Sequence, residues 1–129
     1  MYKEIIISAI IIISIFWLDS ITQSYTDYAI NKTIENLNEI NRQIETENAD
    51  GAKISEFADE KYEEWLNYHK TLAFYIEHNE LEKIETNFVS GKSYIKKEKY
   101  EDAKSELDKT IFLLEHVNDK YSINWANIF

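Results

Sequence analysis

The sequence predicts an all-α protein: an N-terminal transmembrane helix followed by a small helical hairpin bundle of about four helices. Three observations carry that prediction. In 129 residues there is no proline and there are only two glycines, Gly51 and Gly91, so long helices meet few interruptions. The chain opens on an unbroken apolar run, Ile5 to Leu18. Beyond it, apolar residues return every three or four positions, the period of one helix face.

The apolar run holds no charge, and as a helix it spans about 21 Å. That is short of a hydrocarbon core of about 30 Å and suits the core of a signal peptide equally well. Two features favour an uncleaved anchor. No small-x-small cleavage pattern follows, because the next residues are Asp19, Ser20, Ile21, Thr22 and Gln23. The run can also be extended: Lys3 can snorkel outward, and Tyr2 and Trp17 can take the two interfaces, so that Met1 to Ile21 covers about 31 Å. Eight isoleucines with Phe16 and Leu18 contribute roughly −3 to −6 kcal/mol to insertion. A soluble core helix would carry a polar position on every turn, and only Ser8 and Ser14 qualify. The expected domains are therefore an anchor over 1–22 and a bundle over 23–129. Lys3 precedes the run while Asp19 and Asp27 follow it, which predicts a cytoplasmic N-terminus and an extracytoplasmic bundle in a single-pass cell-membrane protein.

Each later element follows from its own stripe. Ile30, Ile34, Leu37, Ile40 and Ile44 continue the first helix to about Glu47 as one rod, broken at Asn48-Ala49-Asp50-Gly51. A second helix is predicted over Ala52 to Ile76, with Ile54, Phe57, Ala58, Tyr62, Trp65, Leu72 and Ile76 on one face. A third carries Leu81, Ile84, Phe88 and Ile95, and after a polar turn at Lys96 to Lys99 a fourth carries Tyr100, Ala103, Leu107, Ile111, Leu114 and Val117. Tyr121 to Phe129 reads as a docked aromatic tail. The segments Ile44–Lys53 and Ile95–Lys104 echo one another, which points either to stacked helical hairpins or to shared turn chemistry.

Composition removes whole classes of function. The net charge is −10, and Arg42 is the single arginine; a surface this acidic repels phosphate backbones, so no nucleic acid is expected. Cysteine is absent, which removes disulfides, thiolate nucleophiles and cysteine-ligated metals. No convergent nucleophile, acid or base is apparent, so the chain does not read as an enzyme, and no cofactor or metal is expected. His69 shares the stripe of Trp65 and Leu72 and reads as a packed side chain. His78 and His116 lie at similar distances from the third turn, with Glu77, Glu80 and Glu115 adjacent. They define the alternative reading, an extracytoplasmic sensor or metal-binding module. The helical wheel opposes it, since His116 lies opposite the Leu107–Leu114 face, and no Glu-x-x-His motif occurs. Ile111-Phe112-Leu113-Leu114 wraps its helix with apolar side chains. Either the tail covers them or Phe112, Leu113 and His116, with Trp125 and Phe129, form a docking surface.

Three short motifs, Ile76-Glu-His-Asn-Glu-Leu81, Ile111-Phe-Leu-Leu-Glu-His-Val117 and Asn127-Ile128-Phe129, resemble domain-of-unknown-function family 4363. Its members are short single-span helical proteins of low-GC Gram-positive bacteria. The resemblance runs nearly end to end and takes in the anchor, Trp65, His78 and His116. It implies an architecture and no chemistry. It also implies gene neighbours encoding polytopic membrane proteins, and hence an accessory subunit with a membrane-protein partner. Oligomeric state is not set by the sequence.

Overall fold

The computed structural model describes residues 1–46 and 48–122, and these form four α-helices: α1 (Tyr2–Glu45), α2 (Gly51–Leu72), α3 (His78–Lys96) and α4 (Tyr100–Tyr121). The all-α prediction holds, and α1 is the single rod its composition implied. With no proline or glycine before Gly51, nothing interrupts its hydrogen-bond ladder until the extended backbone of Thr46. The expected boundary at residue 22 falls inside this helix without a break.

Residues 22–45 of α1 complete an up-down-up-down four-helix bundle. Each helix packs on its chain neighbours and α1 closes the ring against α4. Among the described residues the diagonal pairs make no close backbone approach. The interior is filled by one stripe from each helix: Ile30, Leu37 and Ile40; Ile54, Ala58, Trp65 and Leu72; Leu81, Ile84, Phe88 and Ile95; Ala103, Leu107, Leu114 and Val117. Buried hydroxyls are satisfied locally. Thr26, Thr33 and Thr110 each donate to the carbonyl four residues earlier, at 2.7–2.8 Å, so they enter the core with few polar atoms left over.

The ends of the helices show how little turn chemistry is needed. Asp50 Oδ1 accepts from the Ala52 and Lys53 amides and caps α2. At the end of α3, Glu98 takes φ 56°, with Lys99 N donating to Tyr94 O at 2.9 Å and Glu98 N to Ile95 O at 3.0 Å. This is a Schellman closure made without glycine. The two echoing segments do not share turn chemistry: α1 ends on an extended Thr46 and α2 starts on the Asp50 cap, whereas Lys99 makes no side-chain cap for α4, and Ala52 is exposed where Ala103 is buried. The predicted end of α2 needs correction. The helix stops at Leu72, and the chain turns tightly through 73–77, held by Ala73 N to His69 O and Ile76 N to Leu72 O. Ile76 still reaches the core, from the turn, at 4 % exposure.

Candidate functional site

Three surfaces are not absorbed by the core: the arm of α1, the outer face of α4 and the end of the bundle nearest the arm. In the arm, every isoleucine from Ile5 to Ile21 is exposed, as are Trp17 and Leu18. Its most apolar 18-residue window has none of its residues buried. Ser14 Oγ donates to the Ile10 carbonyl at 2.8 Å, so one of the two hydroxyls between Ile5 and Leu18 is already satisfied inside the helix, as an apolar surrounding requires. At about 1.5–3 kcal/mol for each fully buried aliphatic side chain, eight isoleucines left in water forgo on the order of 10 kcal/mol. A non-aqueous surrounding would recover it.

On α4, Glu101, Ser105, Asp108, Phe112 and His116 are all exposed and follow one another at helical spacing. Phe112 points away from the stripe, as the four-residue apolar wrap predicted, and is 67 % exposed. Leu113, half-buried, marks the edge of the stripe, and Asn87 of α3 faces it across an open groove of about 790 Å³. The cations bordering this groove are committed to neighbours. Lys104 is paired with Glu45 of α1, whose hydrogen bond holds its ammonium above the ordinary lysine range, and Lys109 pairs with Glu106 at 3.1 Å. Asp108 accepts from Asn41 Nδ2 at 3.0 Å. An exposed phenyl ring among carboxylates results, suited to an apolar socket with a basic rim. Trp125 and Phe129, the other expected members of this surface, lie outside the described residues, as does the rest of the tail from Ile123.

The histidines do not converge. His69 is half-buried and its ring stacks on Trp65, centroids 6.0 Å apart and planes 18° from parallel. His78 stands in solvent with Glu82 of its own helix 3.7 Å away, and His116 is exposed on α4. Among the described residues no group of three or more histidines and carboxylates is placed to hold a metal. His116 points out of the bundle, away from the buried Leu107 and Leu114, as the helical wheel placed it.

The near end of the bundle is an aromatic cluster that sequence reasoning passed over. The Tyr68 ring meets Tyr25 and Tyr28 edge-on, at centroid distances of 6.4 and 6.0 Å, and its hydroxyl donates to Glu64 at 3.0 Å. Burial, with Glu64 second, raises the Tyr68 phenol well above its ordinary value. Tyr75, in the α2–α3 turn, lies 2.6 Å from Thr26 Oγ1 and donates to the Thr22 carbonyl at 3.3 Å. Burial raises its phenol too, against a lowering hydrogen bond from Thr26. Tyr121 Oη accepts from the Glu77 amide at 3.0 Å, and Lys120 reaches Glu80 at 2.9 Å and Glu77 at 3.7 Å. The turn is thus tied to both α1 and α4. Beside it Phe74 is 89 % exposed. The signal for Phe74 was present in the sequence, since it falls out of phase with the stripe of Trp65, Leu72 and Ile76.

A family model described as a domain of unknown function, DUF4363, matches residues 20–128. No curated protein and no solved structure shows significant similarity to the chain.

Proposed function

The chain belongs to the DUF4363 family, and from that premise we propose that it is a single-span membrane protein whose bundle serves as a non-enzymatic accessory subunit of a membrane complex. The observation that carries this reading is the arm. It is apolar all round, it is left unburied by its own chain, and it continues without a joint into the first helix of the bundle. A helix so built is stable in lipid and exposed to aggregation in water. Lys3 before the arm, with Asp19 and Asp27 after it, supports a cytoplasmic N-terminus and an extracytoplasmic bundle. The α4 stripe around Phe112 supplies the face for a partner, and the dispersed histidines favour an interaction role over a catalytic one.

Two measurements test the reading. A C-terminally tagged full-length chain in intact protoplasts should lose its tag to added protease; survival of the tag until lysis would reverse the orientation. Purified in mild detergent, the wild-type chain should carry a stoichiometric membrane-protein partner. Phe112→Asp should release that partner without changing helicity or thermal midpoint, because the ring lies outside the core. Retention of the partner by Phe112→Asp would remove the α4 face from the account, and recovery of a lone monomer from wild type would remove the accessory role.

A further inference from the structure

The α2–α3 turn sits at a height on α1 that can be read from side-chain contacts. Tyr68 lies level with Tyr25 and Tyr28, because its ring touches both. The two helices run antiparallel, so each residue after Tyr68 moves about 1.5 Å back along α1. Past the end of α2 at Leu72, Ala73 N to His69 O keeps one more α-type bond and Phe74 N to Thr71 O a tighter three-residue one, so the coil carries on to Phe74. Six residues on, Phe74 therefore stands level with about Ser20 to Ile21, and the hydrogen bond from Tyr75 to the Thr22 carbonyl agrees with that register. Trp17 and Leu18, the last residues of the continuous apolar run, are only about 5 Å further along the axis.

Resting on the anchor reading above, we propose that the α2–α3 turn is a second membrane contact, with the Phe74 ring seated in the phospholipid interface of the leaflet from which α1 emerges. The interfacial layer on each side of the hydrocarbon is about 5–7 Å deep, and Phe74 falls within it. Three observations on the turn fit this occupant. Phe74 is more exposed than any other aromatic side chain among the described residues, although its neighbours Tyr75 and Ile76 are packed. The turn is held rigidly to α1 through Thr22 and Thr26, so the ring cannot retreat from the surface once the arm is inserted. The nearby charges are mixed: Glu77 and Glu80 are answered by Lys120, while Asp19 and Asp27, which accept from the neutral amides of Gln23, Asn31 and Asn118, keep their negative charge nearby. That selects a zwitterionic surface over an anionic one. Two contacts on one rigid body fix the tilt of the bundle, and hence the direction in which the α4 face looks.

The chain has no cysteine, so single labels can be placed at will on the full-length protein. Phe74→Cys, Ile13→Cys and Asn48→Cys are each labelled with a nitrobenzoxadiazole fluorophore and reconstituted alone into phosphatidylcholine vesicles containing shallow or deep doxyl lipids. The label at 74 should be quenched several-fold more by shallow than by deep doxyl. The label at 13 should show the reverse order, and that at 48, in the far loop, neither. Quenching at 13 without quenching at 74 overturns the second contact and leaves the anchor standing; absence of quenching at both overturns the two together. Because the fluorophore is itself apolar, a label at Ala73→Cys is read with Phe74 and with Phe74→Ser. Its quenching should fall several-fold in the serine variant, and equal quenching in the two would mean that Phe74 does not hold the turn to lipid.

Discussion

Between Tyr2 and Ile21 every isoleucine of α1 faces outward, whereas between Thr22 and Glu45 the same helix buries Ile30, Leu37 and Ile40 completely. The backbone is continuous and the residue type is shared, so neither propensity nor geometry separates the two halves. Distribution does. In the arm, apolar residues surround the helix and no single face can satisfy them. In the bundle half they fall on one stripe, and Asn31, Glu35, Asn38 and Arg42 occupy the opposite side, in solvent. A helix with one apolar stripe finds its partner within its own chain; a helix apolar all round finds no such partner there.

The sharpest way to break this comparison is to make the same deletion in both halves. Ile30→Ala should cost the bundle about 2–5 kcal/mol, the range for truncating a fully buried aliphatic side chain. Ile10→Ala, 58 % exposed in the arm, should leave urea unfolding of the bundle in detergent within about 0.5 kcal/mol of wild type. A comparable loss from both would mean that the arm folds back on the bundle and that the two halves are not distinct.

The same contrast explains what the sequence disclosed. Helix number, order and most of the core were legible because the stripes are long and nothing in the composition competes with a helix. The α4 face was legible for a related reason, since four consecutive apolar residues cannot all point inward. The end of α2 was missed because Ile76 keeps the helical phase while leaving the helix, so burial and periodicity agreed on a boundary that the backbone does not respect. The Tyr25–Tyr28–Tyr68–Tyr75 cluster was hidden because its register depends on how two antiparallel helices align, which no local pattern encodes. Phe74 gains its meaning only from that register.

Within the bundle the packing is uneven, and the two glycines measure it. A methyl group at Gly91 would sit 2.7 Å from Leu107 Cδ2 and 3.1 Å from its Cγ, inside the close α3–α4 hairpin. Gly91→Ala gains about 1 kcal/mol in helix propensity and meets an overpacking cost of about 1–3 kcal/mol. A net loss of about 1 kcal/mol is expected by chemical denaturation. Gly51→Ala places its methyl 2.7 Å from Tyr100 Oη and 3.3 Å from Glu98 Oε1, both side-chain ends beside an exposed loop that can move. Its stability should change by no more than about 0.5 kcal/mol. Equal effects would mean that the α3–α4 seam is no tighter than the loop end.

A last contrast separates arm from bundle by pH. Tyr62 packs its ring on Phe88, centroids 5.3 Å apart, and donates to Glu85 at 2.9 Å. Burial first, and Glu85 second, push its phenol from 10.0 up to about 12. Between those values the unfolded chain has released this proton and the folded bundle still holds it. Folding therefore takes up a proton, and the contribution of Tyr62 to stability is complete below pH 10 and is lost as pH rises towards 12. Tyr68 shifts the same way and adds to the decline. Tyr62→Phe should lose roughly 0.5–1.5 kcal/mol at pH 8, where the hydrogen bond to Glu85 is intact in wild type. The gap should then narrow between pH 10 and 12, as the wild type gives up what the variant never had. Vesicle retention by the arm, which carries no ionisable side chain from Ile5 to Leu18, should be the same for both proteins across that range. A gap that stayed constant to pH 12 would place the Tyr62 hydroxyl in water and leave Glu85 without influence on it.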